Sequence, residues 1–200
     1  MNVVEDFGFA EIAGAGEIIL IDACAVQLSS SERDEYGSYR HTQYERMMYL
    51  DLISALFDRI FVTPGVGEEM RLFLKDLESL NMPGRYRRTL RYVLDTITRH
   101  EITPTDKEKV HMRELDATLR RFGDGISFQD YEMLMQSLAA ADSRSPVSVL
   151  TNDIKLVRSF GRMARFLDSR GYMQANTVGI YTKFNGYRFK KGGEYPLSKI

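Results

Sequence analysis

The chain has 200 residues, 44% of them hydrophobic and 11% aromatic, enough for one large domain with a sizeable core. No apolar run approaches the ~18–20 residues of a membrane span, and the single cysteine excludes an internal disulfide. With only three scattered histidines, a Cys/His zinc cluster is excluded too. The acidic start MNVVEDFGFAEIAG has no basic n-region, so a soluble, reducing, cytoplasmic setting with no membrane partner is expected. The net charge of −1 hides an asymmetry. Residues 1–60 carry eleven Asp/Glu against four Lys/Arg, and residues 154–200 carry ten Lys/Arg against two acids. A basic tail on an acidic body suits a polyanionic partner or simple solvation.

In chain order, EIILI (17–21) is a branched, continuous apolar run that predicts a strand buried on both faces. The segment 38–59 places Tyr44, Met47, Met48, Leu52, Ala55 and Leu56 at helical spacing. A second strand, IFV (60–62), ends in Thr63-Pro64, an N-cap followed by proline at the first helical position. A helix through EEMRLFLKDLESL follows, stopped by NMPG at 81–84, and another runs over 85–100. EIT (101–103) reads as a third strand. Thr105 and Glu108 form a capping-box signature for the next helix, which Gly123-Asp124-Gly125 breaks. A helix over SFQDYEMLMQSLAAAD leads to the fourth strand, VSVL, and the helix IKLVRSFGRMARFLDSRG. The chain finishes with a strand and a hairpin turning at Asn185-Gly186. Alternating short strands and helices predict an α/β fold with a mostly parallel sheet.

In open parallel sheets, functional groups collect at the carboxyl ends of the strands. Asp22 directly follows EIILI, Glu69 lies in the first turns after IFVTP, Asp130 opens a helix and Asp153 follows VSVLTN. Four carboxylates on one edge repel one another unless a cation neutralises them, and oxygen-only ligands favour Mg²⁺ or Mn²⁺. Each acid also has a plainer reading. Ser127 and Asp130 make a capping pair, Asp153 suits a helix start, and Glu68 or Glu69 suits a solvated first turn.

These motifs resemble the PIN-domain nucleases: IILIDACAV for the strand ending in Asp, TPGVGEEM for the Glu-bearing turn, ISFQDYEMLMQSLAAAD for the Asp-opened helix, and VSVLTND for the last acid. EITPTDKEK resembles the family's third strand and following helix. The resemblance covers residues 17–181, leaving 1–16 as an N-terminal extension and 182–200 as a basic aromatic C-terminal extension. It implies a Rossmann-type α/β/α sandwich and a Mg²⁺- or Mn²⁺-dependent endoribonuclease. Asp22, Asp130 and Asp153 would be direct or water-mediated metal ligands, Glu69 would bind metal or orient water, and Thr151 and Asn152 would position Asp153. Implied partners are single-stranded RNA, a protein antitoxin for the toxin branch of the family, and a second copy in a homodimer. RNA processing is the other role it implies. The length and the extended basic tail depart from the compact toxins.

For nucleic acid, GRYRRTLRY places Arg85, Arg88 and Arg91 near one helical face with Arg87 beside it, and the tail alternates aromatics with Lys183, Arg188, Lys190 and Lys191. An exposed basic face and a packed or dimer-forming tail are the plainer alternatives. Cys24 is expected to be buried, and His41, His100 and His111 show no catalytic pattern. Rival functions are a structure-specific DNA nuclease of related fold, a catalytically idle PIN-like scaffold binding RNA or protein, and a phosphatase-like or nucleotide-binding protein. The last lacks a Walker loop or GxGxxG.

Overall fold

Two short apolar runs far apart in sequence form the centre of the sheet. In the computed structural model, β1 (Ile18–Ile21) pairs in parallel with β3 (Val147–Leu150), in register from Ile18 opposite Val147 to Ile21 opposite Leu150. The structure describes residues 18–27, 47, 50–51, 53–80, 82–143, 147–151, 153–171, 178–181, 186–190 and 193–196, with side chains as far as 171 except at 142, 143, 154 and 168. All of β3, and β1 from Ile19, is buried. Successive residues of a strand point to opposite faces, so this pattern means both faces of the sheet are covered.

The sheet order is β2-β1-β3-β4-β5-β6, with β2 (Ile60–Phe61), β4 (Val178–Tyr181), β5 (Gly186–Lys190) and β6 (Gly193–Pro196). Pairing is parallel from β2 to β4 and antiparallel beyond. The α/β architecture with an open parallel sheet is therefore as the sequence predicts. The helices are α1 (Ala23–Val26), α2 (Pro64–Asp76), α3 (Gly84–Ile97), α4 (Asp106–Leu119), α5 (Phe128–Ser143) and α6 (Ile154–Ser169), with a 3₁₀ turn at Arg120–Phe122. Their apolar faces, including Leu90 and Val93 of α3, Met133 and Leu134 of α5, and Phe160 and Met163 of α6, join the strands in one core.

Three details differ from the sequence reading. The expected third strand is a single parallel bridge between Val62 and Glu101, carried by Val62 N–H to His100 O (3.1 Å) and Ile102 N–H to Val62 O (2.9 Å). It has no room to lengthen. Helix α3 ends at Ile97, Pro104 lacks an N–H, and Thr105 already caps α4. In the helical segment before β2, the buried stripe is Leu50, Ile53 and Leu56 with Met47 against it, while Ala55 is exposed; Tyr44, Met48 and Leu52 lie outside the described residues. At the C-terminal hairpin, Gly186 stands in β5 opposite Tyr181, and Asn185 of the expected turn lies outside the described residues.

The capping box of α4 is present in both directions. Glu108 N–H donates to Thr105 Oγ1 (3.3 Å), and Thr105 N–H donates to Glu108 Oε2 (2.7 Å), with Glu108 buried. Thr105→Ala removes one half, and a loss of about 1 kcal/mol is expected, seen as a lower urea midpoint with an unchanged slope.

Candidate active site

The chain leaves β1 for β2 on one side and later places β3 on the other, so the direction of winding reverses between β1 and β3. In open α/β sheets such a reversal is where ligand crevices form, outside the carboxyl ends of the strands. Asp22 and Thr151 are the residues that end these two strands. Asp22 N–H bonds Leu150 O (2.9 Å), and the Asp22 side chain caps α1 by accepting the Cys24 N–H (3.4 Å). Its Oδ2 accepts from Thr151 Oγ1 at 2.5 Å and from Cys24 Sγ at 2.6 Å. Asp22 is only 4% exposed. Burial is the main influence that raises its carboxyl pKa; the Cys24 and Thr151 bonds oppose the rise, and the charge of Asp130 adds to it.

Glu69 stands in the second turn of α2, exposed at the rim. Its pKa is raised by partial burial first, then by the charges of Asp22 and Asp130. Its neighbour Glu68 turns away to Arg71 (3.3 Å), which also holds Glu101 at 2.7 Å. Asp130, half-buried, shares a reciprocal cap with Ser127: Ser127 N–H to Asp130 Oδ2 (3.3 Å) and Asp130 N–H to Ser127 Oγ (3.1 Å). Helices α2 and α5 meet at their starts, where a Cβ on Gly65 would lie 3.0 Å from Gln129 Cγ. That close approach brings the start of α5 to the start of α2, and the charge of Asp130 is felt at Glu69.

Three of the four acids therefore share one electrostatic environment. Asp153 has another task. Its Oδ1 accepts the Lys155 N–H (2.7 Å), capping α6, its N–H donates to Thr151 Oγ1 (3.0 Å), and its charge is not among those that raise Asp22 and Glu69. The Thr151 contact is thus to the Asp153 backbone, and Asn152, the other residue the resemblance placed beside Asp153, lies outside the described residues. Sequence reasoning missed the Thr151–Asp22 bond and the Cys24 thiol on Asp22. Cys24 is half-buried rather than buried, and its place two residues after Asp22, on the first turn that Asp22 caps, was the available signal.

The basic stretch of α3 divides. Arg87 and Arg91 both bind Glu78, and Arg87 also donates to Leu80 O (3.0 Å). Arg85 and Arg88 are exposed, as is Tyr92, which meets Phe57 edge-on at 5.8 Å. Lys183 and Lys191 lie outside the described residues, and Arg188 and Lys190 are placed in β5 by backbone only. His100 Nδ1 is bound to Phe57 O (2.9 Å), a structural contact, while Met133 and Met135 are core. Thr63 holds the N-cap position of α2 with extended backbone, yet its buried hydroxyl makes no capping bond.

Among the described residues, no three His, Cys, Asp or Glu side chains converge as a ready ion-binding group, and no Lys or Arg forms an ion pair with Asp22, Glu69 or Asp130. The donors are oxygen only and mutually repelling. Such a set fits a hard divalent cation held largely through its own waters rather than a close-coordinated one. Among the described residues no helix is long and apolar enough to cross a membrane. No family model, curated protein or solved structure matches the chain.

Because the folded state takes up protons at Asp22 and Glu69 at higher pH than the unfolded chain, stability falls as pH rises from the ordinary carboxyl range through the raised pKa values. Without divalent cations, the thermal midpoint is expected to be higher near pH 5 than near pH 7.5. Asp22→Asn keeps a good N-cap while removing the buried charge, and it is expected to raise the midpoint at pH 7.5 and flatten the slope.

Proposed function

We propose that the chain is a Mg²⁺- or Mn²⁺-dependent endoribonuclease with a PIN-like α/β/α fold, acting on single-stranded RNA. The observation that carries this reading is the meeting of Asp22, Glu69 and Asp130 at the switch point of the sheet. They come from three separate elements, share one field and have no basic partner among the described residues. A cluster of like charges at a functional edge is costly unless it has a cation to hold.

The cation, when bound, supplies charge neutralisation at the scissile phosphate and acidifies a water. Asp22 and Asp130 would hold it; Asp22 is fixed by Thr151, Cys24 and its backbone bond to Leu150, and Asp130 by its cap on Ser127. Glu69, at the exposed rim with a raised pKa, takes the proton from the attacking water as the water forms its bond to phosphorus; the P–O bond to the leaving ribose oxygen breaks and that oxygen takes a proton from solvent. Asp153 fixes the start of α6 beside the site and stands as an outer ligand at most.

With Mn²⁺ and single-stranded RNA, Asp22→Asn, Glu69→Gln and Asp130→Asn are each expected to lower cleavage at least a hundredfold, and Asp153→Asn by less than any of them. An intact rate in Asp22→Asn overturns the reading. Branched DNA cut in preference to RNA reassigns the substrate. Thr151→Val removes a hydrogen bond that favours the ionised Asp22, so the acid limb of the rate profile is expected to shift to higher pH.

A further inference from the structure

We propose that the cavity between α4 and α5 is a nucleobase subsite that takes one unstacked guanine of the RNA strand; the assignment rests on the nuclease reading above and gives it a base preference. The cavity has a volume of about 740 Å³, within the size range of small-ligand pockets. One face of α4, from Lys109 to Asp116, lines one side, and one face of α5, from Phe128 to Met135, lines the other, with the loop at 123–127 between them. Met112, Ile126 and Met135 give it an apolar lining. Tyr131 is fixed at both ends. Its hydroxyl donates to Asp116 Oδ1 (2.9 Å), and its ring lies so close to the loop backbone that a Cβ on Gly123 would stand 2.5 Å from its Cδ2. Phe128, 74% exposed, lines the cavity one turn earlier on α5. Apolar walls with an available aromatic ring suit a base taken out of its stack, the form in which single-stranded RNA is read.

The charged groups around the cavity select the base. Lys109 is paired with Asp106 (2.9 Å), and Asp116, which accepts from Tyr131, lies 3.8 Å from Arg120. Arg113 and Glu132 make no ion pair or hydrogen bond with a described residue. Glu132 is half-buried, with Oε2 3.5 Å from the place a Cβ on Gly65 would take. A carboxylate partly withdrawn from water needs donors. Asp124 also lacks a partner among the described residues, but it is exposed on the loop, where water satisfies it. Guanine presents two adjacent donors, N1–H and N2–H, to a carboxylate. Uracil offers N3–H between two carbonyl oxygens that repel it, and adenine and cytosine each set one amino group beside a ring acceptor. The exposed guanidinium of Arg113 is left for the adjoining phosphate.

Position ties the cavity to the acid cluster. Ser127, whose Oγ accepts the Asp130 N–H, lines it, and Glu132 lies against Gly65 in the first turn of α2, the helix that carries Glu69 in its second. A strand with one base in the cavity therefore passes the start of α5, where Asp130 stands.

The test is the binding, in EDTA, of fluorescein-labelled oligouridylate with a single central guanosine, compared with strands that carry inosine, adenosine or uridine at that place. The guanosine strand is expected to bind about tenfold tighter than the all-uridine one, and inosine, which lacks the 2-amino group, to lose most of that gain. Glu132→Gln is expected to abolish the preference while holding the all-uridine strand at least as tightly as the parent, which also reports that the variant is folded. Arg113→Gln is expected to weaken every strand alike, keep the preference and make the log–log salt slope shallower by about 0.7, the loss of one phosphate contact on a single strand. Equal binding of the guanosine and uridine strands overturns the subsite, as does a preference that survives Glu132→Gln. Guanosine monophosphate that competes as strongly as the strand itself overturns the assignment to RNA. Failure of the two proposals reads differently. A guanosine preference without cleavage in Mn²⁺ sinks the nuclease and leaves the subsite, while cleavage with binding indifferent to guanosine does the reverse.

Discussion

A single hydroxyl joins the two central strands at the edge where the acids gather. Thr151 Oγ1 donates to Asp22 Oδ2 and accepts the Asp153 N–H, so one buried group ties the Asp22 carboxylate to the backbone that opens α6. The bond lies between the ends of β1 and β3, whose pairing buries the apolar centre of the molecule, and Asp22 N–H to Leu150 O extends the ladder up to it. Buried polar groups of this kind tolerate no loose fit, because a missing partner costs more than the bond contributes. The register of the sheet and the geometry of the site are thus the same constraint.

Capping and site chemistry are not competing explanations for the acids. Asp22, Asp130 and Asp153 each accept a backbone N–H at a helix start. Those starts carry partial positive charge, which offsets the gathering of carboxylates at one edge. A capped acid also loses rotamer freedom, so its remaining lone pairs point in a fixed direction. Burial makes the difference between them. Asp22 is enclosed, which raises its carboxyl pKa, while Asp130 and Asp153 are half-buried.

The α/β class, the order of the elements and the positions of the four acids were legible because apolar periodicity, Thr-Pro and Ser/Thr-capping signals, and acids after strand-like runs are local features. What escaped was set by tertiary neighbours. Thr151 is 129 residues from Asp22, and nothing local says that its hydroxyl faces that carboxylate. The arginines of α3 look alike in sequence, yet Arg87 and Arg91 are tied to Glu78 in the turn after α2 while Arg85 and Arg88 stand free in solvent. The bridge at Glu101 was misread as a strand because propensity carries no information about the space left between two helices.

The place of β1 in the sheet has a bearing on how the molecule comes into being. It is made early, yet one flank must wait for β2 and the other for β3, whose first residue is 129 positions beyond the Ile18 it faces. Contacts of such separation close slowly and leave an apolar strand edge exposed meanwhile. During synthesis from the N-terminus, Asp22 has no Thr151, and Glu69 has no Asp130, until most of the chain has been made. The surroundings of Asp22 and Glu69 are therefore completed only once α5 and β3 have been made and have packed against β1 and α2.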